Sequence, residues 1–172
     1  HNYLDDPENE ESTYPFIFHS CGDCGHMFLF DPIDPDLLYE NYVTLSDWKY
    51  QPHVSRLVEL IQEYTSVGKT SRILEIGSND GGFLDVLKGE EFEFLIGIEP
   101  AKDAQEAAKR KGIQTISGYF NRSSAEEFVR NFGKCELLII RQVLEHIGDL
   151  RGFGVAINTV LVPGGRVVIE VP

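Results

Sequence analysis

The chain has 172 residues, 28 of them acidic and 15 basic, for a formal net charge of −13. That length suits one domain of ordinary size with a real hydrophobic core, and 42% hydrophobic with 25% charged residues is a globular composition, not a disordered one. The acidic balance argues against extended nucleic-acid binding, which needs clustered Lys and Arg, and no apolar run approaches the ~18 residues that cross a bilayer.

Residues 1–15 are polar and acidic and, with Pro7 and Pro15, read as an irregular entry segment without signal-peptide character. The 3 cysteines are too few for a secreted disulfide scaffold, so a cytoplasmic location is expected. FIFHSCGDCGHMFLF then places apolar residues on both sides of a Cys-Gly-Asp-Cys-Gly turn, which predicts a short hairpin. Pro32 and Pro35 forbid a helix before Asp36, which can cap a helical turn through Leu37, Leu38 and Tyr39. The chain changes character near residue 50, dividing it into a small Cys-bearing module (1–50) and a second domain (51–172).

From Val54 the period becomes helical, with Val54, Leu57, Val58, Ile61 and Tyr64 on one face. Apolar runs at Ile73–Ile76, Phe94–Ile98, Ile113–Ile116, Leu137–Ile140 and Val167–Val171 then alternate with amphipathic stretches at Gly82–Lys88, Lys102–Lys111, Ser123–Phe132 and Leu150–Leu161. Ser123 or Ser124 is the expected N-cap of the third stretch. Helix following strand four times predicts an α/β fold, an open parallel sheet covered on both faces.

The segment SRILEIGSNDGGFLDVLK runs a buried strand into a glycine turn and then a helix. Glycine at 77 permits a sharp turn and close approach of a ligand to the backbone, and helix amides opening after Gly81 present partial positive charge. Many strand-to-helix turns need glycine for structure alone. The next strand, FLIGIEPA, ends in Glu99, 22 residues after Gly77, near the offset at which a carboxylate meets ribose hydroxyls in nucleotide-binding sheets. The turn lacks the G-x-G-x-x-G of a dinucleotide site, which argues against a plain NAD-binding domain.

Glu75, two positions before Gly77, gives E-x-G-S-N-D-G, which resembles motif I of the class I S-adenosylmethionine-dependent methyltransferases. RQVLEHIGDL after the fourth strand and LVPGGRVVIEVP at the fifth extend the likeness over residues 73–172. EIGSNDG, IGIEPA, the Gly118-Tyr119-Phe120 segment and the upstream CxxCG resemble more narrowly the nucleotide-sugar C-methyltransferases, which methylate a carbon of a nucleotide-linked keto-deoxysugar. The resemblance implies a Rossmann-like three-layer sandwich of strand order 3-2-1-4-5, lacking the family's last two strands. It implies S-adenosylmethionine held by Glu75 and by Gly77, Ser78, Asn79 and Gly81 of the turn, with Glu99 and Pro100 at the ribose. Phe120, with Tyr119, would lie against the adenine, and Gln142 and Val143 would border the methionine part.

Cys21 and Cys24 have the spacing of one zinc knuckle, and a structural zinc site normally needs a second pair. In the resembled family that pair lies upstream of where this chain begins, so structural zinc on Cys21 and Cys24 is expected of the natural protein. Two unligated thiols on a turn are the alternative. Cys135 reads as a core residue. The in-chain catalytic candidate is His146, with Glu145 and Arg141 secondary; the family's base lies after the I-E-V-P element, and the chain is expected to be truncated at both ends. The implied partner is a small-molecule acceptor, a nucleotide sugar. The rivals are an O- or N-methyltransferase of another small molecule and a catalytically silent cofactor-binding fragment.

Overall fold

The computed structural model describes residues 13–31, 33, 34 and 52–172. The expected helical turn of Asp36, Leu37, Leu38 and Tyr39 lies outside them. The chain divides into two compact units, His1–Val43 and Thr44–Pro172.

In the first unit β1 (Phe18–Ser20) and β2 (Met27–Leu29) pair antiparallel, Phe18 opposite Leu29 and Ser20 opposite Met27. The Cys21 amide donates to the His26 carbonyl (2.8 Å) and the Gly25 amide to that of Cys21 (2.9 Å), closing the expected hairpin around both cysteines. Gly25 turns the chain at φ +72°.

The second unit holds five parallel strands, β3 (Arg72–Ile76), β4 (Phe94–Glu99), β5 (Gln114–Ser117), β6 (Cys135–Arg141) and β7 (Leu161–Glu170). They lie in the order β5-β4-β3-β6-β7. The labels differ from the expected 3-2-1-4-5 because the hairpin takes the first two numbers; within the sheet, the first strand is central. Helices α1 (Pro52–Tyr64), α2 (Gly82–Gly89), α3 (Lys102–Arg110), α4 (Arg122–Phe132) and α5 (Leu150–Val160) cover it.

Alternate residues of β3, β4 and β6 feed two separate cores, as a sheet buried on both faces requires. Leu74, Ile96, Leu138 and Ile140 pack with Phe128 of α4 and with Phe153, Ala156 and Val160 of α5. Ile73, Leu95, Leu137 and Ile139 pack on the other face with Val58 and Ile61 of α1 and with Phe83, Leu84 and Leu87 of α2. Cys135 is wholly buried, and burial pushes its thiol up to about 12.

Two local expectations need correction. The N-cap of α4 is Asn121, not Ser123 or Ser124: its Oδ1 accepts the Ser123 and Ser124 amides, while the Ser124 hydroxyl accepts the Asn121 amide (2.9 Å). β7 also begins earlier than Val167. Leu161 pairs with Cys135, and the ladder resumes only at Arg166 opposite Leu137, so the Pro163-Gly164-Gly165 turn bulges within the strand.

Candidate functional site

The C-terminal ends of β3, β4 and β6 converge on the glycine turn. Gly77 has φ +65°, and the position of a Cβ there lies 2.5 Å from a Val143 methyl, so both backbone state and space demand glycine. The Gly77 and Ser78 amides donate to the Ile98 carbonyl (2.8 and 3.2 Å), tying the turn to β4. The Asn79 amide donates to Glu99 Oε2 and the Ala101 amide to Glu99 Oε1, both at 2.9 Å. The Asp80 amide is taken by Asn79 Oδ1 (2.7 Å) and the Gly81 amide by the Ser78 carbonyl (2.9 Å). Asp80 Oδ1 accepts the Gly82 amide (3.0 Å), while Oδ2 meets Lys111 Nζ at 2.6 Å.

Each amide from Gly77 to Gly82 is thus already engaged within the protein. A phosphate cradle needs vacant amides at a helix start, and here the Asp80 carboxylate stands at that place. Of the helix amides that open after Gly81, that of Gly82 is engaged by Asp80. The amides of the turn itself are held within the protein, which leaves the neighbouring strand end to meet a ligand that donates hydroxyls.

Glu99 is the matching acceptor. Each carboxylate oxygen takes one backbone amide and keeps a further lone-pair position for a hydroxyl. Burial pushes its pKa up and the Ala101 and Asn79 amides pull it back, leaving it above the ordinary carboxylate value.

A second cluster sits beside the turn on the α2 face. Glu75 is 2% exposed, and burial pushes its carboxyl up to about 8. Arg141 Nη1 is 3.8 Å from Glu75 Oε1, too long for a hydrogen bond, because the guanidinium is committed elsewhere. Its Nε donates to Glu170 Oε2 (3.0 Å) and its Cζ lies 4.4 Å from the centre of the Phe83 ring. Glu75 Oε2 has no hydrogen-bond partner among the described residues. Glu170 also accepts from Gln142 Nε2 (3.2 Å) and lies 3.5 Å from His53 Nε2. Burial alone would raise the Glu170 carboxyl, but the Arg141 and Gln142 hydrogen bonds and the Arg141 and His53 charges together hold it below its ordinary value.

The other expected site residues fall in different places. Ser78 is buried with its hydroxyl where a Cβ on Gly97 would be, so it packs on β4. Pro100 follows Glu99, and its carbonyl accepts from Gln105 (3.3 Å). Phe120 packs edge-on to Phe153 in the core at 5.4 Å, while Tyr119 is exposed. Val143 lies over Gly77, and Gln142 precedes it. His146, on a short 3-10 turn (Leu144–His146), is 57% exposed, with Glu145 at 4.0 Å. Cys24 is exposed and Cys21 partly so; hydrogen bonds from Asp23 and Cys24 lower the Cys21 thiol. Among the described residues no group of three or more His, Cys, Asp or Glu side chains could hold a metal, so zinc on Cys21 and Cys24 is not supported.

Sequence reasoning missed Asp80, Lys111 and Glu170. Asp80 carried a signal, an acidic residue just before a helix start. Glu170 carried none, because its role depends on the β6–β7 register that sets it opposite Arg141.

The residues fit an adenosyl ligand: a glycine against which a Cβ would clash, a carboxylate with spare acceptors at the next strand end, and an orphaned buried carboxylate oxygen on the strand that leads into the turn. A family model described as a methyltransferase domain matches residues 24–172. The C-methyltransferase NovU of Streptomyces niveus is 28% identical over 170 residues, which are 98% of this chain and 40% of that protein. The chain therefore spans well under half the length of this relative. A SAM-dependent methyltransferase from Geobacter sulfurreducens, solved with S-adenosyl-L-homocysteine, aligns over 73% of this chain and 53% of its own at 18% identity and a TM-score of 0.51. DesVI of Streptomyces venezuelae aligns over 80% and 56% at 19% identity and a TM-score of 0.53. Both share the fold. With the family match covering most of the chain and the same sheet beneath the glycine turn, this chain belongs to the methyltransferase-domain family.

Proposed function

We propose that this chain binds S-adenosylmethionine at the Gly77–Gly81 turn, with Glu99 on the ribose hydroxyls, and serves methyl transfer to a carbon of a nucleotide-linked keto-deoxysugar. The observation that carries the cofactor half is the Glu99 carboxylate, fixed by the Asn79 and Ala101 amides with one acceptor position left on each oxygen. The acceptor half rests on the likeness to a C-methyltransferase and on the motif set EIGSNDG, IGIEPA and CxxCG.

Bound S-adenosylmethionine supplies an electrophilic methyl group. The chain's own residues hold and orient it: Val143 closes over Gly77, and Asp80 ties the turn to Lys111, the residue that follows α3. Methylation beside a keto group requires a base to take a proton from carbon. His146, an exposed imidazole just past β6, is the candidate in this chain. Arg141 is engaged by Glu170 and Phe83, which supports His146 over it as the candidate.

Titration calorimetry with S-adenosylhomocysteine tests the cofactor half. The chain is expected to bind, and Glu99→Ala to weaken binding tenfold or more (~1.4 kcal/mol). A folded chain that does not bind overturns the reading. A one-methyl mass gain on a nucleotide-linked keto-deoxysugar tests the acceptor half; tight cofactor binding with no product on any such sugar would favour a silent binding module.

A further inference from the structure

We propose that Glu170, at the C-terminal end of β7, is a positioning residue for the cofactor turn: it pins the segment leaving β6 so that Val143 closes over Gly77. The inference rests on the reading of Gly77–Gly81 as that turn.

The segment needs pinning because Gln142 has φ +52°, a left-handed state that a residue with a side chain keeps only where its neighbours hold it. Glu170 supplies the hold from three atoms. Its carbonyl accepts the Gln142 amide (2.8 Å), Oε1 accepts Gln142 Nε2 (3.2 Å) and Oε2 accepts Arg141 Nε (3.0 Å). Two consecutive residues at the exit of β6 are thereby tied to one residue on the neighbouring strand. The next residue is Val143, whose methyl lies 2.5 Å from the Cβ position of Gly77. Its carbonyl accepts the His146 amide (2.9 Å), which starts the turn that carries His146. A shift at Gln142 therefore moves both the cover of the glycine turn and the catalytic candidate. Arg141 has nowhere better to go: the other carboxylate near it, Glu75, is 3.8 Å away and not hydrogen-bonded to it.

Comparing Glu170→Ala with Glu170→Gln isolates the side chain, since the backbone bond to the Gln142 amide survives both. Gln keeps the shape and one acceptor oxygen, for Arg141 Nε, and its NH2 can donate to the Gln142 oxygen once that amide turns over; Ala keeps none of these. Amide hydrogen exchange without ligand should show residues 142–147 opening about tenfold faster in Glu170→Ala, with β3 and β4 unchanged and Glu170→Gln close to wild type. Calorimetry with S-adenosylhomocysteine should show affinity about fivefold weaker or worse in Glu170→Ala, and within about twofold of wild type in Glu170→Gln. Faster exchange spread evenly over the whole sheet, or unchanged exchange at 142–147, would mean that Glu170 only stabilises the sheet, and overturns the proposal. So would a loosened segment with unchanged affinity. If wild type itself does not bind, the cofactor reading fails, while the exchange data still decide whether Glu170 pins the segment.

Discussion

At Glu75 the low-dielectric interior outweighs a nearby cation. Its carboxyl is buried, its Arg141 neighbour is engaged by Glu170, and its pKa stands at about 8 against an ordinary 4.5. In the window between those values the folded chain binds more protons than the unfolded chain. The stability associated with the Glu75 proton is therefore fully present below the lower value and is lost as pH rises through the upper one. A shift of that size corresponds to about 5 kcal/mol across the window. Glu75→Gln removes this titration, so urea unfolding at pH 5, 7 and 8.5 should show wild type losing stability relative to the variant at each step. Parallel pH profiles for the two proteins would refute the assignment.

The elements best read from the sequence were those whose signals are local. The strand into Gly77, the helix after Gly81 and the strand ending in Glu99 each carry their own apolar run or breaker, and all three stand where periodicity put them. The cap of α4 was misread because two serines and an asparagine compete within four residues. Asn121 wins, since its side chain reaches two amides while Ser124 reciprocates. Asn121→Ala is accordingly expected to cost about 1 kcal/mol in urea unfolding, and Ser123→Ala far less. The start of β7 and the partners of Arg141 were illegible, because they follow from how β6 and β7 register after the Gly164 bulge, a tertiary fact with no local signature.

At the scale of the second unit, the five-stranded sheet separates two cores that, among the described residues, share strands but not side chains. Ile61 and Ile140 are both fully buried, on opposite sides. Ile61→Val and Ile140→Val should each cost about 0.5–1.5 kcal/mol. The double variant should equal their sum within about 0.5 kcal/mol, because no partner is shared. A larger deviation would mean that strain crosses the sheet. The same layering gives Cys135 a use as a clock. Its thiol is sealed in the sheet and held near 12, whereas Cys24 is exposed and Cys21 partly so. Thiolate is the reactive form, so an alkylating reagent at mild pH should consume two thiols quickly and the third only as the native sheet opens. The time course of that last modification would report how often this domain unfolds, with no label added and no residue changed.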